Sequence, residues 1–164
     1  MGTNWQDKLP QYCGVRWLLP RLMAGLYLIA FASWGWQHDG LVGEQGILPV
    51  SRLMENLHAY ELREGKSLFW EYPTLFRLGS SDAFAHGLIW TCCVLAVLVI
   101  AGVLQRYLLG LLWIGYLSLV VVGDVFMGFQ WDALLLEAGL LAMWLAPGKM
   151  WQGGRIRPPP RGSV

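Results

Sequence analysis

Four apolar runs, each near the length of a bilayer crossing, leave this chain very little choice of fold. A helix needs about 20 residues to traverse the hydrocarbon core of a membrane. The runs extend from about Trp17 to Trp36, from Ala83 to Leu104, from Tyr107 to about Val122, and from Phe129 to Pro147. Hydrophobic residues make up 55% of the 164 positions and charged residues 14%, well outside the habit of soluble domains. Within lipid the backbone must satisfy its own hydrogen bonds, so the runs read as helices rather than open strands. The expected fold class is an all-α integral membrane protein with about four transmembrane helices. Residues 1–147 would form the bundle, with an outer loop over 37–82 that holds a short helix, and 148–164 a Pro/Arg-rich cytoplasmic tail.

Charge orients the bundle. With both termini in the cytoplasm, Lys8, Arg16, Arg21, Arg106, Lys149, Arg155, Arg157 and Arg161 fall inside or at the inner boundary. Only Arg52, Arg63, Lys66 and Arg77 fall outside, although the outer loop is the longest. The opposite orientation would reverse the positive-inside bias, so N-in, C-in is expected. Trp17, Trp34, Trp36, Trp144 and Trp151 flank the apolar runs as interfacial anchors would. Arg21 interrupts the start of the first run, which ends in Trp-Gly-Trp rather than small residues, so it reads as a retained anchor and not a cleaved leader. Cys13, Cys92 and Cys93 fit neither a disulfide framework nor a zinc motif and read as free thiols.

The outer loop opens on a turn-rich stretch, Asp39 to Val50, punctuated by Gly40, Gly43, Gly46 and Pro49. These read as turn glycines with positive φ. Ser51 is placed to cap a short helix from Arg52 to about Arg63. Phe69, Trp70, Tyr72, Leu75 and Phe76 then carry more apolar surface than water would tolerate. The loop is expected to lie on the membrane or fold over the bundle.

Two carboxylates, Asp132 and Glu137, sit in the last apolar run, where an ionised side chain costs about 2.5–3.5 kcal/mol on insertion scales. At 100° per residue they lie roughly 140° apart around a helix, so they do not converge as a general acid and base. Gln130 and Glu137 are nearly eclipsed. Ala138, Ala142 and Ala146 form a small-residue stripe suited to close helix packing. Two readings stay open. In one, Glu137 pairs with Arg77, His86, Tyr116 or Ser118 while Asp132 caps its helix; in the other, Glu137 contacts a substrate, a proton path or a partner chain. His38 with Asp39 reads as an interfacial pair, and His86 with Asp82 as a local pair. No catalytic set can be assembled, and no metal, cofactor or nucleic-acid motif is present.

Three stretches resemble the N-terminal membrane region of the lipase maturation factor family, particularly its bacterial members. They are LYLIAFASWGWQHDGLVGEQGILPV (Leu26 to Val50), PTLFRLGSSDAFAH (Pro73 to His86) and FQWDALLLEAGLLAMWLAP (Phe129 to Pro147). A weaker likeness extends to the membrane domain of vitamin K-dependent carboxylases. The first resemblance implies a membrane-embedded, non-catalytic factor that binds another polypeptide; in eukaryotic members it implies help in folding dimeric lipases in the endoplasmic reticulum. A bacterial inner membrane is the implied location, or the endoplasmic reticulum in a eukaryote. The alternatives are a truncated carboxylase-like membrane domain and a small accessory subunit of a larger membrane complex.

Overall fold

The computed structural model describes residues 9–146, with side chains from residue 14 onward. The Cys13 thiol, Trp151 and the expected tail over 148–164 fall outside that range. Five α-helices follow in order: α1 Leu9–Leu41, α2 Val50–Glu64, α3 Asp82–Ala101, α4 Gln105–Gly123 and α5 Gln130–Leu145. Single 3-10 turns occupy Leu75–Arg77 and Asp124–Phe126. No strand occurs among the described residues.

Among the described residues three helices are long and apolar enough to cross a membrane: Gly14–Leu41, Asp82–Ala101, and Gln105–Phe126. The fourth expected crossing is shorter. α5 has 16 residues, roughly 24 Å at 1.5 Å per residue, against a core of ~30 Å. Its limits have local causes. Phe129 enters with extended backbone (φ −89°, ψ 154°), and Ala146 leaves extended (φ −62°, ψ 137°) because it precedes Pro147, which disfavours helical geometry there. The first helix errs the other way, running 33 residues through polar Gln37, His38 and Asp39 to Leu41. Hydropathy marks the membrane crossing and not the end of the helix.

α3 and α4 form a tight antiparallel hairpin. Its link is Gly102 to Leu104, before the gap at Gln105–Arg106 between the second and third apolar runs, because Gly102 takes the left-handed conformation (φ 94°) and its N–H returns to the Leu98 and Val99 carbonyls. Leu104 is also left-handed (φ 40°), which a branched side chain rarely adopts. Gln105, fully buried, holds the turn by donating from Nε2 to the Val99 carbonyl at 3.1 Å.

α1 packs chiefly against α3, and α4 lies between α3 and α5. The core between them is Tyr27 and Phe31 of α1, Ile89 of α3, and Leu109, Leu112 and Leu119 of α4. Close approach needs small residues: a Cβ on Gly115 would fall 2.7 Å from Cys92 Sγ. Cys92 and Cys93 are free, buried thiols. Trp36 and Trp144 project outward as interfacial rings should, but Trp34 is buried in the bundle and does not act as an anchor.

The outer segment is pinned by few contacts. Pro49, not Ser51, caps α2, and Ser51 lies inside the helix. Gly65 ends α2 in left-handed geometry (φ 64°). Thr74 donates to the Ser118 carbonyl at 3.2 Å, and Ser118 Oγ accepts the Leu75 N–H at 3.0 Å. Phe76 is then buried against Phe84, ring centroids 5.8 Å apart. Arg77 pairs with Glu61 at 2.9 Å. That guanidinium, together with the Leu68 N–H at 2.6 Å, holds the Glu61 carboxyl below its usual range. Of the five apolar residues expected to pack, Phe76 is buried and Phe69, Trp70 and Tyr72 are exposed, while Leu68, not among them, folds inward.

Candidate functional site

α5 is fastened to the bundle through its own backbone. The Trp113 indole donates to the Leu136 carbonyl at 2.9 Å, and the Tyr27 hydroxyl donates to the Leu135 carbonyl at 3.2 Å. Tyr116 donates to Asp132 Oδ1 at 2.6 Å, a charge-assisted bond. The two tyrosine rings and Phe31 stack edge to face at 5.6 and 5.7 Å. Directly opposite, Gly139 lies against Tyr27: a Cβ there would collide with the hydroxyl and come within 2.9 Å of Cζ. At the far end Arg106 donates to the Ala146 and Trp144 carbonyls, at 3.1 and 3.4 Å, and Arg16 donates to Leu145 at 3.3 Å. Cations at a helix C-terminus also suit its dipole.

Beside the Tyr27 crossing, α1 and α5 leave space between them. A groove of about 840 Å³ opens between them. Its deeper half is apolar, lined by Met23, Leu26 and Ala30 of α1 and by Leu135 and Ala138 of α5. Its polar residues, Ser33, Trp34 and Gln37 of α1 with Tyr116 and Asp132, lie part-way along, before a second apolar stretch that includes Leu41, Phe126 and Met127. Gln37 is bonded to Ser33 at 3.0 Å. The Trp34 N–H is buried with no acceptor.

A second polar group sits where α1 ends and α3 begins. His38 is buried, with Nε2 3.8 Å from Asp82 Oδ1; His86 Nε2 lies 2.7 Å from Asp39 Oδ1. The imidazoles meet edge to face at 5.4 Å. The expected pairings, His38 with Asp39 and His86 with Asp82, are thus exchanged. Adjacent residues on a helix point about 100° apart, so His38 and Asp39 cannot face one partner. Asp82 is meanwhile occupied by the Glu44 N–H at 3.0 Å. The exchange cross-links α1, α3 and the intervening turn. Among the described residues no group of three or more His, Cys, Asp or Glu is placed to hold a metal ion.

The glycine-rich turn differs from expectation in its cause. Gly40 lies in α1 facing open space, and neither Gly43 nor Gly46 has positive φ. Gly43 and Gly46 instead allow close approach: a Cβ would fall 2.8 Å from the Asp39 carbonyl oxygen and 2.9 Å from the Leu41 carbonyl carbon, respectively. Pro49 precedes α2 as its cap.

Of the intramembrane residues, Asp132 reaches the groove and forms no side-chain cap for its helix. Gln130 and Glu137 are exposed on the outside of the bundle. Ala138 lines the groove, and Ala142 and Ala146 are fully buried. Among the four partners weighed for Glu137, three are engaged elsewhere: Arg77 with Glu61, His86 with Asp39, Ser118 with the outer loop. Tyr116 meets Asp132 instead. Tyr27 and Gly139, which set the α1–α5 crossing, escaped sequence reasoning. Gly139, three residues before Ala142, was the available signal.

The chain is 41% identical over 133 residues to lipase maturation factor 2 of Xenopus tropicalis, covering 76% of this chain and 18% of that protein. It is 40% identical over 135 residues to the mouse protein of that name, with the same coverage. Human lipase maturation factor 1 is 30% identical over 160 residues, 94% of this chain and 26% of that protein. The chain therefore spans about a fifth of the length of the first two relatives, and these vertebrate proteins give the bacterial subtype no support. No solved structure matches. The model for the lipase maturation factor transmembrane domain matches residues 14–162, and the chain belongs to the lipase maturation factor family.

Proposed function

We propose that this membrane domain acts non-catalytically, binding another polypeptide within the bilayer as a folding or assembly factor. Glu137 carries the reading. Trp113, which bonds to the neighbouring Leu136 carbonyl, lies near the middle of α4. Glu137 is therefore at mid-depth, yet it is exposed and has no hydrogen-bond or ion-pair partner among the described residues. Leu134, Leu141 and Trp144 surround it on the same face, 56%, 64% and 74% exposed. A carboxylate at that depth calls for a donor or cation from outside the bundle. A helix bearing one supplies both it and the apolar contact. The relatives' name, lipase maturation factor, is consistent with a polypeptide client.

A photo-crosslinker at Leu141 in native membranes tests this. Wild type is expected to give a discrete polypeptide adduct, and Glu137→Leu to reduce it about tenfold or more, the loss expected for about 1.4 kcal/mol. Glu137→Gln, which keeps hydrogen bonding, should retain part of it. If Glu137→Leu folds and crosslinks like wild type, Glu137 does not recruit a partner.

We further infer that both termini face the cytoplasm, of a bacterium at its inner membrane or of a eukaryotic cell at its endoplasmic reticulum. The cation excess supports this, as do Arg16 and Arg106, which meet at the same end of the bundle around the close of α5. In a Cys13→Ser background, a cysteine in place of exposed Lys66 should react with an impermeant thiol reagent added from the outer or lumenal side, the native Cys92 and Cys93 being buried. Reaction only after the membrane is opened would reverse the orientation.

A further inference from the structure

We infer that the outer segment re-enters the bilayer, seating Phe69, Trp70 and Tyr72 against lipid of the adjoining leaflet, at the level of its headgroups and upper acyl chains. Two helices fix its depth. Thr74 donates to the Ser118 carbonyl, and Ser118 lies well inside the α4 span, 13 residues from Gln105. At 1.5 Å per residue that is about 20 Å above the inner end of a core ~30 Å thick, so Thr74 sits ~10 Å beneath the outer edge. α3 gives the same depth. Gly115 packs on Cys92, which puts Ser118 level with Ile89, seven residues from the start of α3 at Asp82, again roughly 10 Å. The chain before Thr74 has little length with which to leave. Two residues reach at most about 7 Å and four at most about 14 Å. The Tyr72 backbone therefore stays within the core. Trp70 rises no more than about 4 Å above it, inside a headgroup layer ~5–7 Å thick.

The hydrogen bonding suits immersion better than water. Irregular backbone at membrane depth persists only where protein covers it and supplies its partners. Thr74 and Phe76, at the deepest point, are buried. The Leu75 N–H goes to Ser118 Oγ and the Phe76 N–H to Thr74 Oγ1. The Glu71 and Tyr72 N–H groups turn back to the Leu68 carbonyl, and Pro73 has no N–H to satisfy. Glu61 closes the top of the dip, accepting the Leu68 N–H on the way in and pairing with Arg77 on the way out. What is left facing outward is mainly aromatic. Phe69 and Trp70, with ring centroids 5.6 Å apart, are exposed, as is Tyr72. Trp and Tyr favour the membrane interface, where the ring meets hydrocarbon and its polar atom meets the headgroups. Glu71 is three residues from Thr74 and so reaches the edge of the core, about 10 Å up, where its carboxylate meets the headgroups.

The test uses the full chain in liposomes, in a Cys13→Ser background, with a nitroxide on a cysteine in place of Tyr72, Trp70 or Lys66. It reads collision with oxygen, which enters lipid, and with a nickel chelate, which does not. The chain carrying Cys13→Ser alone reports any label taken up by buried Cys92 or Cys93. The Tyr72 and Trp70 labels are expected to collide freely with oxygen, and with nickel at least fivefold less than the Lys66 label, the Tyr72 label least of all. Two positions are read, so one that fails to fold leaves the other standing. Nickel collision at Tyr72 equal to that at Lys66 would put the segment in water. Shielding of both labels from oxygen and nickel alike would mean that protein covers them. Either result overturns the inference.

Discussion

Replacing Gly139 by valine is expected to cost the protein most of its folded yield. The Tyr27 ring occupies the space a side chain at 139 would need, and the hydroxyl cannot retreat without losing the Leu135 carbonyl. α5 must then move away from α1. Overpacking costs about 1–3 kcal/mol, and the broken bond adds about 1 kcal/mol. The Asp132–Tyr116 bond lies about two turns away on the same helix and should loosen with it. In detergent, Gly139→Val is expected to lose the monodisperse species that wild type gives, or to melt well below it. Gly139→Ala should be milder, and milder still with Tyr27→Phe, which removes the atom that collides first. Equal melting of wild type and Gly139→Val would show that the α1–α5 crossing is not where it is drawn.

Phe76→Ala should release the outer segment while leaving the helices intact. Phe76 is 1% exposed, and truncating a buried phenylalanine costs about 3–5 kcal/mol. Near Arg77 the remaining ties to the bundle are two hydrogen bonds to Ser118, since the mostly buried Arg77–Glu61 ion pair joins two parts of the outer segment. They are too few to hold the stretch around Arg77 alone. In membrane-embedded samples, trypsin is expected to cut wild type at exposed Arg63 or Lys66 and to spare Arg77. The variant should be cut at Arg77 as well. A wild type already cleaved at Arg77 would mean that the loop is not docked.

Hydropathy revealed the helices and little of how they meet. α3 and the α3–α4 hairpin were legible because their signals are local: a long apolar run, then a glycine suited to left-handed geometry. Gly102 even marks the end of α3 better than hydropathy did. The limits of α1 and α5 were less legible, because an apolar average ignores that a helix may continue into polar residues or stop short of its apolar run. The importance of Asp132 was readable as a misplaced charge. Its partner was not, since Tyr116 meets it through the rotation of two helices and not through spacing on one. The exchanged His–Asp pairs failed for the same reason. Each histidine had an acid close by in sequence, but the partner it took lies on the other helix, 44 or 47 residues away.

The arginines at the close of α5 bear on how deep that helix sits. Open carbonyls at a helix end ordinarily need water, and in hydrocarbon each unmet group costs several kcal/mol. Arg16 and Arg106 bring donors to the Trp144, Leu145 and Ala146 carbonyls, and their long stems can rest in lipid while the heads stay polar. The end of α5 is thereby hydrated by protein. Pro147 sets where α5 stops and two arginine side chains satisfy the carbonyls left there, so a helix of only 16 residues needs no thinning of the bilayer to finish within it.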